Sequence, residues 1–130
     1  MNQELEFPLN EFFSQIKLSA ASTSRDFEVS ELKKDLTLLD EFEAVPGVHL
    51  FTQHGVMKYV GRALSSGLKS RIKDRIKNRT SSPNGWHIFI QDEQVMCKLI
   101  IFPRSDWFFA VALEVLLISK FNPRFNRRVG

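Results

Sequence analysis

The sequence predicts one α/β domain in which a small, mostly antiparallel sheet is flanked by helices. Two apolar stretches around a glycine-containing turn predict a β-hairpin over residues 48–61. A four-residue apolar period over residues 68–76 predicts a helix directly after the hairpin, and an apolar run at 99–102 predicts a buried strand. A chain of 130 residues, 43% of them hydrophobic, is long enough to form one core.

The first 44 residues are predicted to form an acidic helical extension that packs on a body spanning residues 45–130. An apolar helical period begins at Pro8 and predicts a first helix, whereas the small polar residues 19–24 predict a loop. Ser30 is the predicted N-cap of a second helix. The apolar face of that helix would carry Leu32, Leu36 and Leu39.

The predicted hairpin consists of strands at 48–53 and 57–61, with His54 and Gly55 in the turn. His49 and Tyr59, the chain's one tyrosine, are ten positions apart. They share a face of the hairpin if the turn holds an odd number of residues and lie on opposite faces if it holds an even number. The sequence leaves this register open.

The helix predicted over residues 66–79 is strongly basic. Its buried stripe would carry Leu68, Ile72 and Ile76. One flank of that stripe carries Arg71, Arg75 and Arg79, and the other carries Lys69, Lys73 and Lys77. Because like charges four residues apart repel each other, two flanks of the same sign favour an anionic partner over a merely solvated face.

Two more strands and a final helix are predicted towards the C-terminus. The strands are predicted at 86–91 and 95–102, and Ser105 is the predicted N-cap of a helix over residues 106–121. This helix is apolar on most faces except at Glu114. A carboxylate in such surroundings is costly unless it is paired or binds a metal, and the alternative is a narrow solvated face.

The charge distribution is asymmetric. Residues 1–44 contain ten acidic and four basic residues, whereas residues 45–130 contain five acidic and fourteen basic residues. Nucleic acid is the first partner that a basic body suggests, because Lys and Arg neutralise phosphates. A mixed solvated surface is the alternative.

Other classes of protein are excluded by composition. One cysteine, Cys97, excludes a disulfide framework and a multi-cysteine zinc site, and it favours a reducing compartment. The acidic start lacks the features of a secretory signal, and no stretch reaches the roughly 20 apolar residues that span a bilayer. We therefore expect a cytoplasmic protein with no membrane partner.

Five short elements occur in an order and spacing that is similar to one family. They are Gly47-Val48-His49, Tyr59-Val60-Gly61, Arg71, Glu114 and Pro123-Arg124-Phe125-Asn126. Together they resemble the GIY-YIG nuclease domain, particularly the N-terminal nuclease domain of the excision-repair incision subunit, over about residues 46–127. The chain departs from the family at His49, where the first motif has a tyrosine, and at Arg75, where members usually carry His or Tyr.

The resemblance implies a GIY-YIG-like fold and a metal-dependent endonuclease that hydrolyses phosphodiester bonds, with DNA favoured over RNA. It implies that Glu114 holds one Mg²⁺ or Mn²⁺ ion, that Arg71 clamps the phosphate, and that His49 and Tyr59 activate water. Asn126 would support the site by hydrogen bonding. The predicted contacts to the nucleic-acid backbone are Arg62, Lys69, Arg75 and Lys77.

Two further hypotheses follow from the departures and from the acidic extension. The substitutions at His49 and Arg75 are also compatible with a catalytically inactive nucleic-acid-binding module on the same fold. Residues 1–44 are a candidate contact for a protein partner, or a segment that covers the basic face until a partner displaces it. The oligomeric state is left open.

Overall fold

The computed structural model describes residues 6, 8–10, 23–77 and 84–127. Its centre is a four-stranded sheet in the order β1-β4-β2-β3, with each neighbouring pair antiparallel. The strands are β1 (Thr23–Glu28), β2 (Gly47–Gln53), β3 (Val56–Ala63) and β4 (Val95–Ile101). An antiparallel sheet flanked by helices confirms the predicted fold class.

In the described residues from 23 onwards, four α-helices and three 3₁₀ helices surround the sheet. The α-helices are α1 (Val29–Lys34), α2 (Leu68–Ile76), α3 (Trp86–Phe89) and α4 (Phe108–Phe121). The 3₁₀ helices span Leu36–Phe42, Arg104–Asp106 and Arg124–Asn126. None of the described helices is long and apolar enough to cross a membrane.

The sheet separates two apolar cores, because successive side chains of a strand point to opposite faces. Val48 and Leu50 of β2 pack in one core with Leu113 and other residues of α4. Phe51 of β2 packs in the other core with Ile72 and with residues of α1 and α3. We call these the α4 face and the α2 face of the sheet.

The N-terminal extension was predicted to be helical, which is wrong for residues 23–28. Thr23 and Ser24, assigned to a loop by the sequence, begin strand β1, which pairs with β4 at the edge of the sheet. A polar, largely exposed segment is tolerated there because an edge strand needs few apolar contacts. Residues 8–10 are helical and Leu9 is buried, but residues 11–22 lie outside the described ranges.

The second predicted helix is divided at Asp35. Asp35 has an extended backbone, and its carboxylate accepts a hydrogen bond from the Thr37 backbone N–H, which caps the 3₁₀ helix that follows. Aspartate side chains compete in this way with helical hydrogen bonding. Ser30 lies within α1 instead of capping it. The division of the chain at residue 44 stays a prediction.

The strand predicted at 86–91 is wrong, because this segment forms helix α3. Trp86 and Phe89 are both buried, at the i,i+3 spacing of one helical face, and a short apolar run does not distinguish the two periods. The Trp86 indole N–H also donates to the Arg75 carbonyl at 3.0 Å, which holds the segment against α2.

Helix α4 begins at Phe108, and its predicted N-cap, Ser105, lies in a 3₁₀ turn.

Candidate active site

A β-bulge places His49 and Tyr59 on the same face of the hairpin. The turn holds two residues, His54 and Gly55, both with positive φ, and an even turn alone would separate the two side chains. The register shifts, however, between Phe51, which pairs with Tyr59, and the next residue of β2. The extra residue in β3 restores the common face, and the His49 and Tyr59 ring centroids lie 6.0 Å apart.

Gly61 gives the His49 ring its position. The two residues are directly opposite each other in β2 and β3. A Cβ on Gly61 would lie 2.4 Å from His49 Nε2 and 2.7 Å from Cε1, both far inside van der Waals contact. Glycine is therefore required for the imidazole to lie across β3, the edge strand.

His49 is buried, lacks side-chain hydrogen-bond partners among the described residues and has a strongly lowered pKa. It is 2% exposed, and neither ring nitrogen has a hydrogen-bond partner among the described residues. Burial, and then the positive charges of Arg75 and Arg71, lower the pKa of His49 to about 3. The imidazole is therefore neutral at physiological pH and has free capacity to bind or accept a proton at its unprotonated nitrogen.

Tyr59 lies in an aromatic and cationic environment. Its ring packs against Trp86 with centroids 5.2 Å apart, and the Arg75 guanidinium stacks over it at 4.5 Å from the centroid. Burial raises the pKa of Tyr59, against the opposing effect of Arg75. Tyr59 therefore remains a neutral phenol near pH 7, suited to donating a hydrogen bond.

A cleft of about 450 Å³ joins these groups to α2 and α4. Its lining residues are His49, Tyr59, Arg62, Arg71, Asp74, Arg75 and Glu114. Arg71 and Arg75 are one helical turn apart on α2, so both guanidinium groups lie on the same side of that helix. Four of the five predicted catalytic residues thus line a single cleft, which has the positive charge expected of a phosphate site.

Glu114 reaches the cleft from the α4 face and is paired with Arg62. The Arg62 Nη1 lies 2.7 Å from Glu114 Oε1, and the side chains are 44% and 15% exposed, respectively. This ion pair offsets the cost of a carboxylate on an otherwise apolar helix. The sequence left pairing, metal binding and a narrow solvated face open for Glu114, and the structure shows a paired carboxylate.

Glu114 also fits a site for one divalent ion. Among the described residues, no three His, Cys, Asp or Glu side chains form a metal-binding group. Mg²⁺ does not need such a cage, since one or two carboxylates, waters and substrate phosphates commonly complete its coordination. A single partly accessible carboxylate that lines the cleft matches that arrangement.

Asn126 supports the hairpin instead of lining the cleft. Its Oδ1 accepts a hydrogen bond from the Val60 backbone N–H, and its Nδ2 donates to the Val60 carbonyl, both at 2.8 Å. The side-chain amide thus substitutes for a neighbouring strand along β3, next to Tyr59. The supporting role in the site that the sequence predicted for it stays a prediction.

The four predicted backbone contacts are not together. Arg62 and Arg75 line the cleft, but Lys69 forms an ion pair with Asp40. Lys77 lines a separate cavity behind α2.

Sequence reasoning missed three residues of the site, namely Gly61, Asp74 and Trp86. The contact of Gly61 with His49 depends on the register between β2 and β3. Asp74 is the acidic residue of α2 that lines the cleft. A Trp placed after a basic helix carries no local signal of contact with Tyr59. The glycine of Tyr59-Val60-Gly61 did belong to a motif, and its spacing from His49 was the available clue.

No family model matches the sequence, and no curated protein matches it. Solved structures do. One is the GIY-YIG N-terminal endonuclease domain of UvrC from Thermotoga maritima, a point mutant bound to its catalytic divalent cation. It is 26% identical, with 75% of this chain and 97% of that chain covered and a TM-score of 0.56. This chain contains a GIY-YIG-like domain.

A second structure of the same Thermotoga domain, bound to magnesium, has a TM-score of 0.51 at 24% identity over the same shares of both chains. The structural neighbours of the GIY-YIG-like domain are thus metal-bound nuclease domains. The family resemblance predicted from five short elements is confirmed.

Proposed function

We propose that the GIY-YIG-like domain is a metal-dependent endonuclease that hydrolyses phosphodiester bonds of nucleic acid, with DNA favoured over RNA. The observation that supports this most is the shared cleft. It brings a neutral imidazole and a phenol from the hairpin, two arginines from α2 and a carboxylate from α4 to one volume. The metal-bound nuclease domains among its structural neighbours add to this support.

The phosphate and the ion would be held by residues from opposite faces of the sheet. Arg71 clamps the scissile phosphate, where a planar guanidinium can form two parallel hydrogen bonds. Glu114 holds one Mg²⁺ or Mn²⁺ ion through a carboxylate oxygen. When bound, the ion supplies stabilisation of charge on the leaving oxygen.

Water activation falls to His49 and Tyr59. The neutral His49 accepts a proton at its unprotonated nitrogen, and the Tyr59 phenol orients the water or a phosphate oxygen by donating a hydrogen bond. Burial, and then the positive charges of Arg75 and Arg71, lower the pKa of His49 in the free protein. A bound phosphate would offset the contribution of the two arginines but not that of burial, so it would raise the pKa of His49 only in part.

The experiment compares the wild-type chain with Glu114→Gln on labelled single- and double-stranded DNA and RNA, in Mg²⁺, Mn²⁺ or EDTA. We expect metal-dependent cleavage by the wild type and a loss of roughly a thousandfold in the variant, because the ion contributes several kcal/mol to the transition state. Nucleic-acid binding and the thermal midpoint should be retained. Cleavage by Glu114→Gln at the wild-type rate would reject the metal assignment.

The catalytically inactive binding module is the second candidate. His49 in place of a tyrosine favours it, because an imidazole whose pKa is about 3 is a weak base in the free protein. This function predicts binding of single- or double-stranded DNA or RNA through their phosphate charges. It predicts no cleavage of any of them in Mg²⁺ or Mn²⁺. Cleavage that EDTA abolishes and that Glu114→Gln loses excludes it.

A further inference from the structure

A second cavity lies between the end of β3 and the start of α4. It has a volume of about 470 Å³ and is lined by Ala44, Pro46, Leu64, Ser65, Arg104 and Trp107. Trp107 is 49% exposed, and Arg104 is also exposed. None of these lining residues is acidic. The cavity thus combines an apolar floor, an accessible indole and a cation, and no role has been assigned to it above.

The cavity lies just beyond the ends of two elements that also contribute to the cleft, β3 and α4. Leu64 follows Arg62 by two residues at the end of β3, and Trp107 precedes Glu114 by seven residues. Trp107 already has helical dihedral angles, φ −53° and ψ −33°. Seven residues are nearly two helical turns, so Trp107 and Glu114 lie on the same side of α4, roughly 10 Å apart along its axis.

We propose that this cavity, which we call the Trp107 pocket, binds an unpaired nucleobase of the strand whose phosphate occupies the cleft. The proposal rests on the proposed function, since it assumes a nucleic-acid substrate. A stacked strand rises about 3.4 Å per nucleotide, so the pocket lies within roughly three nucleotides of Glu114. A strand that leaves the cleft past Arg62 reaches Leu64 and the pocket next.

The lining chemistry suits a base that is free of its stack. Aromatic side chains stack on nucleobases without reading sequence, and arginine adds cation–π attraction to the same surface. A base that is paired in a duplex cannot enter a cavity of this kind without being unstacked. The Trp107 pocket therefore selects single-stranded, frayed or otherwise distorted nucleic acid near the scissile bond.

The test separates base binding from phosphate binding. Fluorescence anisotropy in EDTA, which prevents cleavage, measures the affinity of labelled oligothymidylate and of an oligomer of equal length made of abasic residues. The proteins are the wild type, Trp107→Ala, Trp107→Phe and Phe108→Ala. Phe108 is the matched control, because it is also 49% exposed and adjacent but does not line the pocket.

We expect the wild type to bind the base-bearing oligomer about 5- to 150-fold more tightly than the abasic one, the range given by stacking of one base. Trp107→Ala should lose this preference, Trp107→Phe should keep part of it, and Phe108→Ala should keep all of it. Equal affinities of the wild type for the two oligomers, or an unchanged preference in Trp107→Ala, would overturn the proposal.

Other outcomes would show that the Trp107 pocket has a different occupant or that the oligomers do not bind. If Trp107→Ala instead converts a dimer to a monomer in sedimentation, the pocket is a contact between copies and the proposal is wrong. If neither oligomer binds any of the proteins, the Trp107 pocket is rejected, and the cleavage assay on single- and double-stranded DNA and RNA decides separately whether the proposed function stands. Cleavage that persists while the base preference is absent rejects the Trp107 pocket alone.

Discussion

The two faces of the sheet contribute different kinds of group to one cleft. On the α2 face, His49 is buried without a hydrogen-bond partner among the described residues, and burial, with the added charges of Arg75 and Arg71, lowers its pKa and keeps it neutral. On the α4 face, Glu114 is charged and is held by an ion pair with Arg62. The edge strand β3 lies between them. The two faces thus contribute an imidazole, two guanidinium groups and a carboxylate to the same cleft.

On the α2 face, the largest effect on the cleavage rate is expected for Arg71→Lys. A lysine keeps the charge but cannot form two parallel hydrogen bonds to a phosphate, so cleavage should fall about a hundredfold. Single-turnover kinetics measure the change. The control is Lys73→Gln, which removes a charge from an exposed position of the same helix outside the cleft. Full activity in Arg71→Lys together with a loss in Lys73→Gln would mean that only the net charge of α2 matters.

The contact between Gly61 of β3 and the His49 ring is tested by Gly61→Ala. The added Cβ would lie 2.4 Å from His49 Nε2, so the imidazole must move and the protein should lose roughly 1–3 kcal/mol of unfolding free energy. Urea unfolding measures this loss. The double variant with His49→Ala removes the clash and should be more stable than the sum of the single effects predicts. Additive effects would show that the two residues do not contact each other.

The neutral state of His49 predicts a pH-dependent stability. Its pKa is about 3 in the folded protein against an ordinary value of 6.5. Between these values the unfolded chain binds a proton that the folded protein excludes, so stability falls as the pH falls. From pH 7.5 to 5, the wild type should lose about 2 kcal/mol more than His49→Phe.

Urea unfolding at the two pH values measures this difference. His54→Asn is the control, because His54 is exposed in the hairpin turn with φ 52°, a conformation that asparagine tolerates. This variant should lose as much stability as the wild type. If His49→Phe retains the full acid sensitivity, His49 is not the group that the fold keeps neutral.

The smallest effect concerns the ion pair on the α4 face. Arg62 competes with a divalent ion for the Glu114 carboxylate, so Arg62→Gln should bind Mn²⁺ about two- to fivefold more tightly, as expected for a partly exposed pair. Electron paramagnetic resonance of free Mn²⁺ measures this affinity without any substrate. The control is Arg25→Gln, because Arg25 pairs with Glu41 at 2.8 Å and is similarly exposed. Weaker binding in Arg62→Gln would show instead that Arg62 orients the carboxylate for the ion.

The sequence predicted the elements of the site better than their arrangement. The hairpin strands, α2 and the buried strand β4 have clear periodicities, and the family motifs marked His49, Tyr59, Arg71 and Glu114. The common face of His49 and Tyr59 could not be predicted, because it depends on a bulge of one extra residue in β3. No local pattern encodes such a bulge.

Long-range polar pairs were equally hidden. Arg62 and Glu114 are 52 residues apart, and Val60 and Asn126 are 66 apart. Their contacts depend on how α4 and the following 3₁₀ helix pack against β3. Strand β1 was missed because its polar residues lack alternation, and α3 because four apolar-rich residues fit either period.

The hydrogen bonds between Asn126 and Val60 have a consequence for association between molecules. Strand β3 lies at the edge of the sheet, and an edge strand offers its free N–H and C=O groups as a template for a strand of another chain. Asn126 occupies both groups of Val60, at the middle of that edge. One amide side chain therefore protects the edge from sheet extension by another copy, while the cleft beside it remains accessible to a ligand.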